Sequence, residues 1–321
     1  MELTRRNVIF TFTILCIAAS VVMGFQYLGG YAYLAADNFI KNQEAGVFRW
    51  LFWLFHSSWT ETLVQYFFMM GVAYIPAYLI LLFLPKDKRP VIQISGEDFM
   101  LCLVASMGLG YGLNIVGNFI NMFIGMFTDK TIYEMNPVTD MATNMTRSMI
   151  LYTCIVGPFM EELMFRGLLL KRARFFGDRT AVVFTAILFG LMHGNLSQFL
   201  YATAIGLIFG YVAVKTNSIR YSVAMHMLIN SFSTLMSCGE SLVTSTGVDM
   251  LAVLYMIGIL ATILFLIIAG IIVVVKYGKI WFRQMTYYNG PPCSCRKYVY
   301  LNPGFLIYFC ICMIDFLYYL L

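Results

Sequence analysis

The sequence predicts an all-α fold, a polytopic membrane helix bundle of about 8–9 transmembrane helices, each needing about 20 apolar residues. Three observations carry that expectation. Of the 321 residues 60% are hydrophobic and 12% charged, against about 25% charged in soluble globular domains. Apolar runs long enough to cross about 30 Å of hydrocarbon recur along the whole chain. Lys and Arg also fall on alternate connections between those runs, as they do when basic loops stay in the cytoplasm.

The first element follows from the amino terminus. Met1 to Arg6 and the apolar run from Val8 to Tyr27 have the layout of a signal peptide. The run is longer than the about 7–15 apolar residues of a signal core, so it reads as a retained first membrane helix. With that helix near 8–30, the apolar runs place further segments near 62–84, 98–124, 148–170, 180–194, 197–214, 219–237, 250–275 and 303–321. Val47 to Trp59, dense in Trp and Phe, reads as an aromatic helix lying at the interface. Residues 276–302 read as a cytoplasmic loop before the C-terminal transmembrane helix, and 1–321 as a single integral membrane domain.

Nine crossings can be checked against charge. One set of alternate connections holds Arg5 and Arg6; Lys86, Lys88 and Arg89; Lys171, Arg172, Arg174 and Arg179; Lys215 and Arg220; and Lys276, Lys279, Arg283, Arg296 and Lys297. The other set holds only Lys41, Arg49, Lys130 and Arg147, beside several acids. A cytoplasmic amino terminus follows. The net charge of +5 is then a topology signal, not a nucleic-acid footprint; the lipid bilayer is the partner it implies.

Ionisable groups inside a membrane segment cost about 2.5–3.5 kcal/mol each on insertion scales, so each calls for a function or a partner. The fourth segment holds three, in Gly157-Pro-Phe-Met-Glu161-Glu162-Leu-Met-Phe-Arg166. Four-residue spacing sets Glu162 and Arg166 on one helical face as an ion pair. Glu161 is turned about 100° away and has no cation in its own segment. A spare carboxylate among apolar side chains has the surroundings of a general base. The structural alternative is that both acids lock helices together.

His193 ends Phe189-Gly-Leu-Met-His193, and His226 opens His226-Met-Leu-Ile-Asn230. Imidazole carries protons near neutral pH, and Asn offers an amide donor to an oxyanion. A lone membrane histidine is more often an interhelical hydrogen-bonder. Two acids, two histidines and an amide on neighbouring apolar helices together assemble a hydrolytic site. The third histidine, His56, reads as a residue of the aromatic belt.

In this order Glu-Glu-x-x-x-Arg, Phe-x-x-x-His and His-x-x-x-Asn resemble the CPBP family of intramembrane proteases, which includes type II CAAX prenyl endopeptidases and bacteriocin-processing or Abi proteins. The resemblance covers Gly157 to Asn230, within core helices at 148–237. It implies an intramembrane endopeptidase of the glutamic type acting on a peptide or membrane-protein substrate. Glu161, helped by His193, would activate water, and His226 and Asn230 would hold the oxyanion. Glu162 with Arg166 would fix the motif helix, and Phe189 would pack on the neighbouring histidine. The alternative is a non-catalytic immunity or scaffold protein that binds a peptide in the same cavity. The short-looped form resembles bacterial members, which implies a bacterial cell membrane.

No cofactor is required on this reading. The alternative is Zn held by Glu161, His193 and His226 with a water in the fourth position; the zincin signature His-Glu-x-x-His is absent. Cys293 and Cys295 form at most half of a metal site. Depth sets one demand: Glu161 lies about 15 Å from Lys171 along its helix and His226 about 9 Å from Arg220, but His193 lies about 21 Å from Arg179. The fifth segment must tilt or start late if they are to meet. Asn114, Asn118 and Asn121 share one face of the third segment, as interhelical hydrogen-bonders or as the wall of a wet chamber.

Overall fold

The computed structural model describes residues 4–42, 49–128, 130–136, 145–285 and 293–320, and among them no strand occurs. The helices in chain order are α1 (Arg5–Lys41), α2 (Arg49–His56), α3 (Glu61–Leu81), α4 (Gly96–Thr128), the single turn α5 (Ile132–Met135) and α6 (Arg147–Phe176). They continue with α7 (Asp178–Met192), α8 (Leu196–Thr216), α9 (Arg220–Ser245), α10 (Asp249–Gln284) and α11 (Pro303–Leu320), the last preceded by a 3₁₀ stretch at Cys293–Val299. The Cys293 side chain, and with it the Cys293–Cys295 pair, lies outside the described residues.

Among the described residues, seven helices are long and apolar enough to cross a membrane: α1, α3, α4, α6, α8, α10 and α11. The chain is a multi-pass membrane protein. All nine expected segments are helical, but the two that carry the histidines depart from an ordinary crossing. With 15 residues, α7 spans only about 22 Å at 1.5 Å per residue. α9 has the length but too many polar residues.

One boundary is corrected. The loop expected at 276–302 begins too early, because α10 continues to Gln284. Lys276, Lys279 and Arg283 therefore ride on a helix end, where long basic side chains reach the interface while their stems stay on apolar surface.

Small residues let the helices approach. α1 packs against α3 and α11, burying Val8, Phe12, Leu15, Cys16 and Met23. Gly108 of α4 faces Gly270 of α10 so closely that a Cβ on Gly108 would lie 2.7 Å from the Gly270 Cα. In lipid, where no hydrophobic drive joins helices, such backbone contact supplies the packing.

The basic connections gather at one end of the bundle. There Arg174 pairs with Asp178 and Asp87, both at 2.9 Å, Lys215 pairs with Asp98 at 2.9 Å, and the Arg172 guanidinium donates to the Leu81 carbonyl at 2.8 Å. At the opposite end the Ser148 N–H donates to the Ser58 carbonyl at 2.8 Å and Arg147 stacks on Trp59. α2 lies there with Trp50 and Trp53 exposed, as an interfacial aromatic helix should. His56 approaches Asp37 at 3.0 Å, so this belt histidine ties α2 to α1.

Candidate active site

The motif helix α6 is not a regular α-helix. It widens to π-helical hydrogen bonding over Tyr152–Val156 and again over Leu163–Leu170, leaving Gly157–Glu162 as a short α-helical turn between. Pro158 accounts for the first widening. It has no N–H to donate, and its ring would strike the carbonyl four residues back in a regular helix. The Gly157 N–H instead reaches the Tyr152 carbonyl. π-Turns of this kind recur at functional sites.

The two adjacent glutamates part company here. The Glu162 and Arg166 side chains are fully buried and paired at 2.8 Å, as the four-residue spacing predicts. Arg166 also donates to the Gly206 carbonyl at 3.3 Å and lies 4.4 Å from the Phe189 ring centre. Glu161 faces the other way, 21% exposed, into a cavity of about 460 Å³ that it shares with Phe189, His193, His226 and Asn230.

His193 reaches this cavity by a route that the sequence does not indicate. α7 neither starts late nor runs past the histidine: it begins at Asp178, and His193 is its C-cap. Gly194 takes the left-handed conformation (φ +64°) and Asn195 caps α8, its side chain accepting from the Gln198 N–H at 3.0 Å. α7 and α8 thus form a helical hairpin whose turn is buried at Gly194 and Asn195. His193 bends back one turn to the Phe189 carbonyl, 2.8 Å from Nδ1. A carbonyl only accepts, so Nδ1 carries the hydrogen and the neutral ring keeps its Nε2 lone pair.

His226 stands between the two glutamates. Nδ1 is 3.2 Å from Glu162 Oε1 and Nε2 is 3.9 Å from Glu161 Oε2. The imidazole nearest Glu161 is therefore His226; no such approach of His193 occurs among the described residues. Phe189 packs edge-on against both rings, with centres 5.0 Å from His193 and 6.0 Å from His226. Asn230 donates one amide hydrogen to the Thr153 carbonyl at 3.0 Å, and among the described residues the other has no partner.

A zinc site of Glu161, His193 and His226 is not preformed. Among the described residues no group of three or more His, Cys, Asp or Glu side chains has metal-binding geometry. Glu162 holds His226 Nδ1, which fixes the ring and leaves Nε2 turned towards Glu161.

Several lining residues lie outside the three motifs. Tyr66 of α3 stacks on Tyr152 with ring centres 3.5 Å apart, and no periodic signal marks that pair. Ser233 and Ser237 also line the cavity. They extend the His226–Asn230 face at helical spacing, a stripe that is legible in the sequence. Of the three Asn residues on α4, only Asn114 lines the cavity. Asn118 accepts from Ser197 at 2.8 Å and Asn121 donates to Ser197 at 2.9 Å, so this pair ties α4 to the hairpin turn.

Gly194 gives a direct test of the hairpin. Gly194→Ala forces a Cβ into the left-handed region, which costs about 1–2 kcal/mol, and brings it 2.6 Å from the Asp315 Cβ. The expected result is a lower thermal unfolding midpoint in detergent together with reduced turnover, because the displaced turn carries His193.

Comparison with known proteins finds similarity over the same stretch of chain. Residues 143–232 match the family described as type II CAAX prenyl endopeptidase Rce1-like. The "Putative membrane peptidase YdiL" of Bacillus subtilis (strain 168) is 33% identical over 92 residues, which are 27% of this chain and 36% of that protein. The match thus spans about a third of the curated relative. No solved structure matches the chain. The matched segment 143–232 contains Glu161, Glu162, His193, His226 and Asn230, and it is this segment that is similar to the Rce1-like family.

Proposed function

We propose that the protein is an intramembrane endopeptidase that hydrolyses a peptide bond with a water activated by Glu161. The observation that carries this reading is the convergence of one carboxylate that Arg166 does not pair and two imidazoles on a single cavity within the bundle. A water bound at Glu161 loses a proton to the carboxylate as its oxygen bonds to the scissile carbonyl carbon. The Nε2 lone pair of His193 accepts the second hydrogen of that water and orients it.

The carbonyl electrons move to oxygen, where the second Asn230 amide hydrogen and His226 hold the oxyanion. With Nδ1–H committed to Glu162, His226 donates from Nε2 only as an imidazolium. That form brings the cluster of Glu161, Glu162, Arg166 and His226 to zero net charge. Collapse of the tetrahedral adduct breaks the C–N bond, and the proton held by Glu161 passes to the leaving amine. No step needs a metal. The basic end of the bundle is cytoplasmic on the charge rule, which sets the amino terminus inside.

The test is a screen of candidate peptides with purified protein in heavy-oxygen water. The expected result is cleavage at an internal bond with label in the new carboxyl terminus. The binding-only alternative predicts peptide retention without cleavage. Chelator treatment, with metal analysis of both samples, is expected to leave the cleavage rate unchanged; loss of activity restored by added zinc would contradict the metal-free mechanism.

A further inference from the structure

The cavity is closed at one end and lined far towards the other. At the basic end its floor is packed: Glu162, Arg166, Leu169, Phe209, Ser222 and Met225 are each no more than 1% exposed. His226 and Phe209 form the lowest lining, about 9–10 Å along their helices from Arg220 and Thr216. From there the lining climbs away from the basic loops. Gln198 lies about 27 Å from Thr216, Ser237 about 26 Å from Arg220, and Tyr66 about 22 Å from Leu81. Met145, before the start of α6 at the opposite end, also lines it. The upper lining residues Tyr66, Gln198, Ser233 and Ser237 are all partly exposed.

The lining also has a charge character. Among the described residues its polar groups, apart from the two imidazoles, are hydroxyls and amides, and Glu161 is the one carboxylate. No Lys or Arg side chain lines it among the described residues. Arg166 beneath the floor is committed to Glu162. An entering free carboxylate would meet Glu161 with no Lys or Arg to pair with among the described residues, and His226 is already held between Glu161 and Glu162.

We propose that the cavity is entered from the end of the bundle opposite the basic loops, and that it takes an uncharged or cationic internal peptide stretch presented on the extracytoplasmic side. Calling the entrant a substrate rests on the peptidase reading; the direction of entry does not. A packed floor excludes a cytoplasmic tail that would have to reach Glu161 from below.

The test uses full-length protein in its membrane, with Ser233→Cys and Ser237→Cys in the cavity, Lys88→Cys at the basic end and Thr246→Cys at the opposite end. A small membrane-impermeant trimethylammonium thiosulfonate is applied to intact cells and to inverted vesicles. Modification is read position by position by peptide mass mapping, so the native cysteines stay in place. The expected result is that Ser233→Cys, Ser237→Cys and Thr246→Cys react in intact cells and lose that reactivity in inverted vesicles, where Lys88→Cys reacts.

The sulfonate analogue is expected to react more slowly than the cationic reagent at Ser233→Cys. Cavity cysteines that react only in inverted vesicles, or from neither side while Thr246→Cys reacts, would overturn entry from outside. Faster reaction of the anionic reagent would overturn the charge preference. None of these readouts depends on peptide cleavage, so failure of the peptidase reading is seen separately in the cleavage assay.

Discussion

Arg166→Met is expected to destabilise the protein by about 3–5 kcal/mol, the cost of leaving one member of a buried ion pair without its partner. The carboxylate left behind is fully buried, and its Oε1 accepts from both Arg166 and His226. The variant also removes the contact between the guanidinium and the Phe189 ring, which itself supports both imidazoles. The measurement is the thermal or denaturant midpoint in detergent. Glu162→Gln combined with Arg166→Met removes both charges and is expected to recover part of the loss, because much of the single variant's cost is the orphaned charge. An Arg166→Met protein as stable as the parent would mean that the pair does not organise α6.

His226→Gln is expected to lower kcat by about 10²–10³-fold, the usual effect of removing one oxyanion donor. KM should change little, since the donor acts on charge that develops only in the transition state. Fold stability should change less than in Arg166→Met, because Arg166 still neutralises Glu162. The binding-only alternative predicts the reverse pattern, a change in peptide affinity with no turnover to lose. A raised KM at unchanged kcat would remove His226 from the chemical step.

The fold was legible wherever composition and spacing act locally. Membrane segments follow from apolar length, and the gathering of basic connections at one end of the bundle follows the alternation of Lys and Arg. The Glu162–Arg166 pair and the separate face of Glu161 follow from the helical repeat. The hairpin at Gly194 was not legible in the same way. A buried turn between two helices needs a left-handed residue, an Asn cap and polar partners on α4, and these lie far apart in sequence.

The depth problem at His193 had the same origin. Its ring bends back to Phe189, and the imidazole next to Glu161 comes from α9. The widened turns around Pro158 were also hidden, although the proline itself marked the place. Tyr66 and Tyr152 reach the cavity only through tertiary packing of α3 on α6. The α9 stripe of His226, Asn230, Ser233 and Ser237, in contrast, could have been read from spacing alone.

The central claim is that Glu161 takes a proton from the attacking water. Its most direct test is cleavage of one peptide by the parent protein and by Glu161→Gln, purified side by side and matched for thermal midpoint. Gln keeps the shape of the side chain but has no basic oxygen, so the rate is expected to fall by at least the about 10²–10⁴-fold of a lost general base, with peptide binding retained. Cleavage by Glu161→Gln at the parent rate would contradict the account.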